Sequence, residues 1–221
     1  MRIRTAFQEL DWKGWLGWMT ATMAGVQLVV IIVFVCWAGG LDDYWWGNLG
    51  MASMGGISLG VCQWIWLRRR LVNAWWWIVS TFLGWDLAML LVKVLDVENL
   101  NATGALSQLA RMIELLAIPV AVSLPQWLLI RRQFQKAAWW WIVARPLSWI
   151  AGVGLIVLGV WLNILPVSGL FSSMTYDLSA FLALSIVAAS FGFGFATVTG
   201  FAFTWILTNQ AFVPSRGGVQ Q

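Results

Sequence analysis

The chain has 221 residues, of which 61% are hydrophobic and only 10% are charged. A soluble domain carries about a quarter charged residues, so this chain lacks the polar side chains needed to cover its surface in water, whereas a lipid bilayer suits it. It has no histidine, which excludes histidine-ligated haem or chlorophyll and removes the commonest general base. The net charge of +4 lies in short clusters between apolar runs, a pattern that indicates membrane topology and no nucleic-acid partner.

In chain order, six apolar runs have the length of about 20 residues that a transmembrane helix needs. They lie at about 15–38, 50–67, 75–94, 108–130, 139–162 and 179–207. The sequence therefore predicts an all-α integral membrane protein with six transmembrane helices, in one transmembrane domain that covers residues 1–221. The helices pair as three helical hairpins at about 15–67, 75–130 and 139–207, with short tails at 1–14 and 209–221.

The charges in the connections predict the orientation. Ten of the thirteen basic residues fall on the side of the two termini, whereas the loops on the other side contain acids and no base. By the positive-inside rule both termini are cytoplasmic, in a bacterial inner or plasma membrane or a thylakoid membrane. The residues that carry most of this signal are Arg68, Arg69, Arg70, Arg131 and Arg132.

Tryptophan is concentrated near the same side. Indole rings settle at a membrane interface because one edge is apolar and the other is polar. We interpret the tryptophans as an aromatic belt, and the alternative is a tryptophan cage around a ligand. The belt is predicted to contain Trp64, Trp127, Trp75, Trp76, Trp77, Trp139, Trp140 and Trp141, with Trp12, Trp15, Trp18 and Trp66 on the same side.

An internal repeat relates the second hairpin to the first. Gln63-Trp-Ile-Trp-Leu-Arg-Arg69 recurs as Gln126-Trp-Leu-Leu-Ile-Arg-Arg132, and each copy is followed by Trp-Trp-Trp-Ile-Val. A shared run of this length indicates duplication. The sixth span, which is rich in glycine and ends in Trp205-Ile-Leu207, is interpreted as a diverged third copy.

These motifs resemble a group of Trp-rich polytopic membrane proteins of cyanobacteria and Chloroflexi that carry Gln-Trp-x-x-Leu-Arg-Arg and Trp-Trp-Ile-Val repeats. The resemblance covers about residues 55–150 and 190–207. The chain departs from the pattern at Ile130, where leucine is usual, and in the length of its tryptophan runs. The resemblance implies a lineage and a topology, and it implies no activity.

Small residues recur at every fourth position on one face of several predicted helices. Such faces allow two backbones to approach closely, which is how helices associate in lipid. The glycines predicted to pack helices in this way are Gly56, Gly60, Gly192 and Gly200.

Charged residues inside the spans are the main functional hint. Asp86, Lys93, Arg111 and Glu114 fall in the second hairpin, and we expect Glu114 to pair with Lys93 and Arg111, which leaves Asp86 the least compensated. They either fix the hairpin or form a polar site that responds to protons or cations. Arg145 is expected to snorkel to the cytoplasmic face.

The polar Gln27 and Asn163 are each interpreted as contacts between helices. No motif pairs a nucleophile with an activating base, and no residues have the spacing of a metal site, so an enzyme is not predicted. No cofactor is predicted either, although a pigment or lipid is compatible with the composition.

The predicted function is an accessory or scaffold subunit of a membrane complex, photosynthetic if the resemblance holds. Its partners would be the lipid bilayer and other subunits of that complex. The alternative is a carrier or binding protein for a small solute or lipophile, with a polar site around Asp86 and Glu114.

Overall fold

A computed structural model describes residues 11–40, 45–71, 73–95, 105–162, 164 and 178–210, excluding the side chains of 45, 46, 95, 105–116, 135, 136, 178–180 and 208–210. Over these ranges the chain is helical and contains no strand. A short 3-10 helix, Gln135–Ala138, precedes the fifth α-helix. The α-helices are α1 (Trp12–Ala38), α2 (Trp45–Leu67), α3 (Trp76–Leu95), α4 (Ala105–Phe134), α5 (Trp139–Trp161) and α6 (Leu178–Gln210).

Four of the helices in the described residues are long and apolar enough to cross a membrane. They are α1, α3, α5 and α6, and their qualifying segments have 19 to 27 residues. The other two are less apolar, since α2 is rich in glycine and serine and α4 includes Arg111, Glu114, Arg131 and Arg132. The prediction of an all-helical membrane protein is confirmed in this form, whereas six spans remain a prediction.

The start of α1 is fixed by Asp11, which caps the helix. Its Oδ1 accepts a hydrogen bond of 2.9 Å from the backbone N–H of Gly14, and its Oδ2 lies 2.9 Å from Nη1 of Arg70 in an ion pair at the surface. The Gly14 hydrogen bond, followed by the contact with Arg70, lowers the pKa of this carboxyl below its ordinary value of 3.8. Asp11 therefore ties the start of α1 to the arginines that follow α2.

The helices form a closed ring in chain order. Each helix packs against the next one, and α6 packs against α1. Neighbours are antiparallel, because contact positions rise along one helix as they fall along the other. Between α1 and α6, for example, Trp12 contacts Phe201 and Phe34 contacts Phe181. Gln27 Nε2 donates to the carbonyl of Ser185 at 3.2 Å across the same interface, which confirms its interpretation as a contact between helices.

Glycines lie where the helices approach most closely. A Cβ added to Gly84 would lie 3.0 Å from the Cα of Val122 on α4, and one added to Gly60 would lie 3.0 Å from the Cα of Ile78 on α3. The predicted packing glycines Gly56, Gly192 and Gly200 lie against α3, α1 and α1 respectively, with Cβ contacts of 3.1, 3.1 and 2.9 Å. Such close approach gains dispersion energy that apolar burial does not provide in lipid.

Candidate functional site

Three tryptophans meet in the centre of the bundle, one from each odd-numbered helix. Trp18 of α1, Trp77 of α3 and Trp141 of α5 are each 0% exposed. Their rings contact one another edge to face, with centroid distances of 5.5 to 5.9 Å. Phe203 of α6 stacks on Trp18 at 5.1 Å. The interpretation of Trp77, Trp141 and Trp18 as parts of an interfacial belt is therefore wrong, because these rings form the core.

The neighbouring tryptophans do face outward. Trp75 and Trp76 are 50% and 47% exposed, and Trp139 and Trp140 are 57% and 54% exposed. Successive helical side chains differ by about 100° in direction, so three consecutive tryptophans cannot share one environment. Only the third of each run is in the core.

The predicted topology residues lie at the end of the bundle where α2 and α4 finish. Arg68, Arg69, Arg70, Arg131 and Arg132 are exposed. The guanidinium of Arg68 lies 5.7 Å from the ring centroid of Trp64, and that of Arg131 lies 5.0 Å from that of Trp127. Trp64 is half-buried and Trp127 is buried, so these two rings lie under the arginines.

Each central indole N–H has a hydrogen-bond acceptor on an even-numbered helix. Trp77 Nε1 donates to Gln63 Oε1 at 2.9 Å, and Gln63 Nε2 donates to Thr22 Oγ1 of α1 at 3.2 Å. Thr22 comes four residues after Trp18 in α1. Gln63 thus links α1, α2 and α3 in a buried chain of hydrogen bonds.

Gln126 makes the equivalent contacts one hairpin later. Trp141 Nε1 donates to Gln126 Oε1 at 3.2 Å, and Gln126 Nε2 donates to Thr81 Oγ1 at 2.8 Å. Thr81 comes four residues after Trp77, as Thr22 does after Trp18. The second chain of hydrogen bonds therefore links α3, α4 and α5 in the pattern of the first.

The third indole is held differently. Trp18 Nε1 donates at 3.0 Å to Thr199 Oγ1 of α6, where the other two pairs have a glutamine. Four residues after Trp141, where the other odd helices have threonine, stands Arg145. Both replacements fall in the pair α5 and α6, so this side of the bundle differs chemically from the other two.

Arg145 is buried in the bundle, with 1% of its surface exposed. Its Nη2 donates to Gln126 Oε1, and its guanidinium carbon lies 5.0 Å from the ring centroids of both Trp141 and Phe195. The expectation that Arg145 snorkels to the surface is wrong, because these contacts direct its side chain into the bundle.

A cavity of about 180 Å³ lies beside Arg145, lined by residues of all six helices. Val26, Trp85 and Trp149 stand eight residues after Trp18, Trp77 and Trp141, about 12 Å along each odd helix. The cavity therefore lies beyond the tryptophan core, away from the exposed arginines. Its walls also include Leu59, Val122 and Phe195, each four residues before Gln63, Gln126 and Thr199, together with Val29, Val30, Ala188 and Phe191.

Two N–H groups on side chains that line this cavity lack partners. Trp85 Nε1 and Arg145 Nε are buried and have no hydrogen-bond acceptor among the described residues. Buried polar groups in native proteins are nearly always satisfied, so a hydrogen-bond acceptor in the cavity would complete these two groups. Trp127 Nε1, which does not line the cavity, is unpaired among the described residues as well. All polar side-chain groups in the lining belong to arginine or tryptophan, which donate hydrogen bonds and accept none.

The predicted polar site falls partly outside the described residues. Asp86 is half-buried, and its Oδ1 accepts a hydrogen bond of 2.8 Å from Ser53 Oγ of α2. Lys93 is exposed near the end of α3. Arg111 and Glu114 lie in α4, but their side chains are outside the described set, so the expected pairing with Lys93 stays a prediction. Asp86 does not line the central cavity.

Sequence reasoning missed Arg145 as part of a site. A usable signal was present, because Gln63 and Gln126 share the repeat and each odd helix has a tryptophan with a polar residue four positions later. An alignment of the segments around Trp18, Trp77 and Trp141 shows that the residue four positions later is threonine twice and arginine once.

No protein-family profile, curated protein or solved structure matches the chain in comparisons with known proteins.

Proposed function

We propose that this protein is a non-enzymatic membrane bundle that binds a small lipophilic molecule in its central cavity, as a carrier or binding protein. The observation that carries the proposal is a cavity of about 180 Å³ to which all six helices contribute. An apolar cavity of about 150 Å³ inside a protein holds one benzene molecule, so the volume suits a ligand built on a single ring.

The location of the cavity supports binding over a purely structural role. Native interiors are close-packed and large voids in them are few. Below the cavity the tryptophan core is well packed, with Trp18, Trp77 and Trp141 fully buried. The cavity is therefore a gap beside a densely packed layer, where a ligand can enter without displacing the core.

The proposed site differs from the polar site around Asp86 and Glu114 that the sequence predicted. Asp86 has a hydrogen-bond donor in Ser53 and lies outside the cavity lining. We place the ligand at Arg145 and Trp85, and we assign Asp86 to the contact between α2 and α3.

We also propose that the bundle consists of three hairpin repeats, with six spans and both termini in the cytoplasm. Each odd-numbered helix has a core tryptophan, and the residue eight positions after that tryptophan lines the cavity in all three cases. This regularity supports the third copy. The exposed arginines that follow α2 lie at the end where α1 begins, as the salt bridge between Asp11 and Arg70 shows, and those in the last turn of α4 lie at the same end. This supports the orientation.

A role as an accessory subunit of a membrane complex, photosynthetic or other, is a second proposal. Its support is the broad apolar outer surface, which includes Val157, Trp161 and Leu182 at 61%, 76% and 51% exposed. Lipid accounts for the same surface, so this proposal is the weaker one. Purification from native membranes in a mild detergent tests it, because co-purifying subunits in constant proportion would favour it over a carrier.

The binding proposal is tested with two single-ring probes, benzamide and benzoate, in equilibrium dialysis against detergent-solubilised protein. We expect saturable binding of at least one probe above protein-free micelles. Ala188→Phe, which fills the cavity, should abolish it. Leu182→Phe is the matched control on the outer face of the same helix, where Leu182 is 51% exposed, and it should leave binding unchanged.

Absence of saturable binding for both probes would overturn the binding proposal, as would equal binding in the Ala188→Phe and Leu182→Phe variants. Mass spectrometry of lipophilic molecules that remain bound after purification from native membranes would then identify the natural ligand class.

A further inference from the structure

We infer that the central cavity is an anion site: Arg145 and Trp85 bind the carboxylate of a small lipophilic acid, whose ring occupies the apolar walls. This inference rests on the proposed function and names the chemical class of its ligand.

The buried charge of Arg145 favours an anionic ligand. Arg145 is 1% exposed, and within the described residues no carboxylate forms an ion pair with it. Asp11 pairs with Arg70, and Asp86 accepts from Ser53. Glu114 is twelve residues from Gln126 along α4, a rise of about 18 Å. A buried cation in a protein is nearly always paired, so a counter-ion that arrives with the ligand would complete the site.

The second argument is the direction of the hydrogen bonds. Arg145 Nε and Trp85 Nε1 are buried donors without acceptors in the described part of the chain. Gln126 Oε1 already accepts from both Trp141 and Arg145, which leaves little capacity for further donors. A ligand with a carboxylate brings acceptor oxygens, whereas a ligand that only donates would leave both groups unsatisfied.

The third argument compares the three sides of the bundle. At the position four residues after the core tryptophan, Thr22 and Thr81 each accept a hydrogen bond from a glutamine. On the third side that position holds Arg145, and Thr199 stands where the other two sides have a glutamine. Two linked replacements thus convert one closed hydrogen-bonded pair into a cation that lines the cavity.

The size and polarity of the cavity also fit a small lipophilic acid. The remaining walls are valine, leucine, alanine and aromatic side chains, so only one edge of the ligand meets polar groups. At about 180 Å³, the cavity fits an aromatic or short branched acid and is too small for the acyl chain of a membrane lipid. Benzoate is the simplest probe of this class.

The test compares benzoate with benzamide, which has nearly the same shape and no charge. We expect the protein to bind benzoate about tenfold more tightly or better, as one charge-assisted hydrogen bond would give. The double variant Arg145→Thr with Thr199→Gln restores the pattern of the other two sides. It should unfold cooperatively and bind both probes equally. Arg131→Gln, which removes an exposed arginine, is the charge-matched control and should keep the preference.

A second variant covers the case in which the double variant fails to fold. Trp85→Phe removes one unpaired donor and keeps the aromatic wall, so we expect benzoate to bind severalfold more weakly while the helical content stays unchanged. Arg145→Lys keeps the charge and loses the planar fork, and an intermediate affinity is expected.

The inference is overturned if benzamide binds as tightly as benzoate, or if the preference persists in the double variant, or if Trp85→Phe leaves benzoate binding unchanged. In each of these cases the binding proposal itself stands as long as benzamide binds saturably. If neither probe binds, the proposed function fails and the anion site fails with it.

Discussion

Two sides of the bundle bury an indole in the same way, and the third does not. Gln63 and Gln126 each accept a hydrogen bond from the core tryptophan of the following odd-numbered helix and donate one to a threonine of the preceding odd-numbered helix. Around Thr199 the indole of Trp18 is still bonded, but the position of the third threonine is taken by Arg145. In both of these networks the glutamine, the core indole N–H and the threonine satisfy one another inside the bundle.

At the cavity, Arg145 of the third side and Trp85 of α3 each have a buried donor without an acceptor among the described residues, which is why we propose that a ligand binds there. The networks around Gln63 and Gln126 thus differ from the surroundings of Arg145, although the three hairpins share one arrangement of core tryptophans. We expect substitutions in the core that all three sides share to have larger effects than substitutions that affect one side.

Replacing a core tryptophan should have the largest effect. Trp77→Ala removes a ring that is 0% exposed and leaves Gln63 Oε1 without its donor, so we expect a loss of about 3–5 kcal/mol in the free energy of unfolding. Trp76→Ala, one residue away and 47% exposed, should change it by less than about 0.5 kcal/mol. Unfolding in mixed detergent micelles, followed by circular dichroism, measures both. Equal losses in the two variants would contradict a core that contains only the last tryptophan of each run.

The two glutamines should differ, although their networks look alike. Gln126→Leu removes the acceptor of both Trp141 and Arg145 and the donor to Thr81, so we expect a loss of about 2–4 kcal/mol. Gln63→Leu breaks two hydrogen bonds between neutral groups and should cost about 1–2 kcal/mol.

The same unfolding assay gives the difference between the two glutamine variants. If the Gln63 variant proved the less stable one, Arg145 would not depend on Gln126 as described. If Arg145 does depend on Gln126, combining Gln126→Leu with Arg145→Thr should recover part of the loss, because the buried cation that needed the acceptor is gone.

Close helix packing should give the next effect. Gly84→Ala would place a Cβ 3.0 Å from the Cα of Val122, and we expect a cost of about 1–3 kcal/mol as α3 and α4 are forced apart. Ser148 occupies the corresponding position seven residues after Trp141, so the third side accepts a side chain where the second does not. Gly154→Ala is the control, because its Cβ would meet nothing within 4 Å, and it should stabilise the helix by up to about 1 kcal/mol.

The smallest effect is expected at the surface, in the cap of α1. Asp11→Ala should cost about 1 kcal/mol at neutral pH, the usual value of an N-cap. Because the folded pKa of Asp11 lies below its ordinary value of 3.8, the stabilisation is complete above that value and is lost as the pH falls through the folded pKa. The stability difference between the wild type and Asp11→Ala should therefore shrink below about pH 3.8. Asp11→Asn, which caps without charge, should show no such dependence on pH.

The sequence by itself determined the membrane class and most of the helix positions. Apolar runs of fixed length are a local property, and the predicted spans at 15–38 and 139–162 agree closely with α1 and α5. It also showed the repeated run that begins at Gln63 and at Gln126, without a role for either glutamine, and it predicted Gly56 and Gly60 as packing glycines through their spacing. Each of these follows from composition or period along one helix.

Only the tertiary structure decided which polar residues meet. Trp77 and Trp76 have identical chemistry, and their exposure differs because one helix face is covered by Gln63, Trp18 and Phe203. Arg145 looked like a snorkelling residue because its distance from the end of α5 is short, whereas the ring of six helices turns it toward Gln126 and Phe195. Hydropathy records how apolar a segment is and contains no information about its neighbours, so the cavity and its unpaired donors emerge only when all six helices are in place.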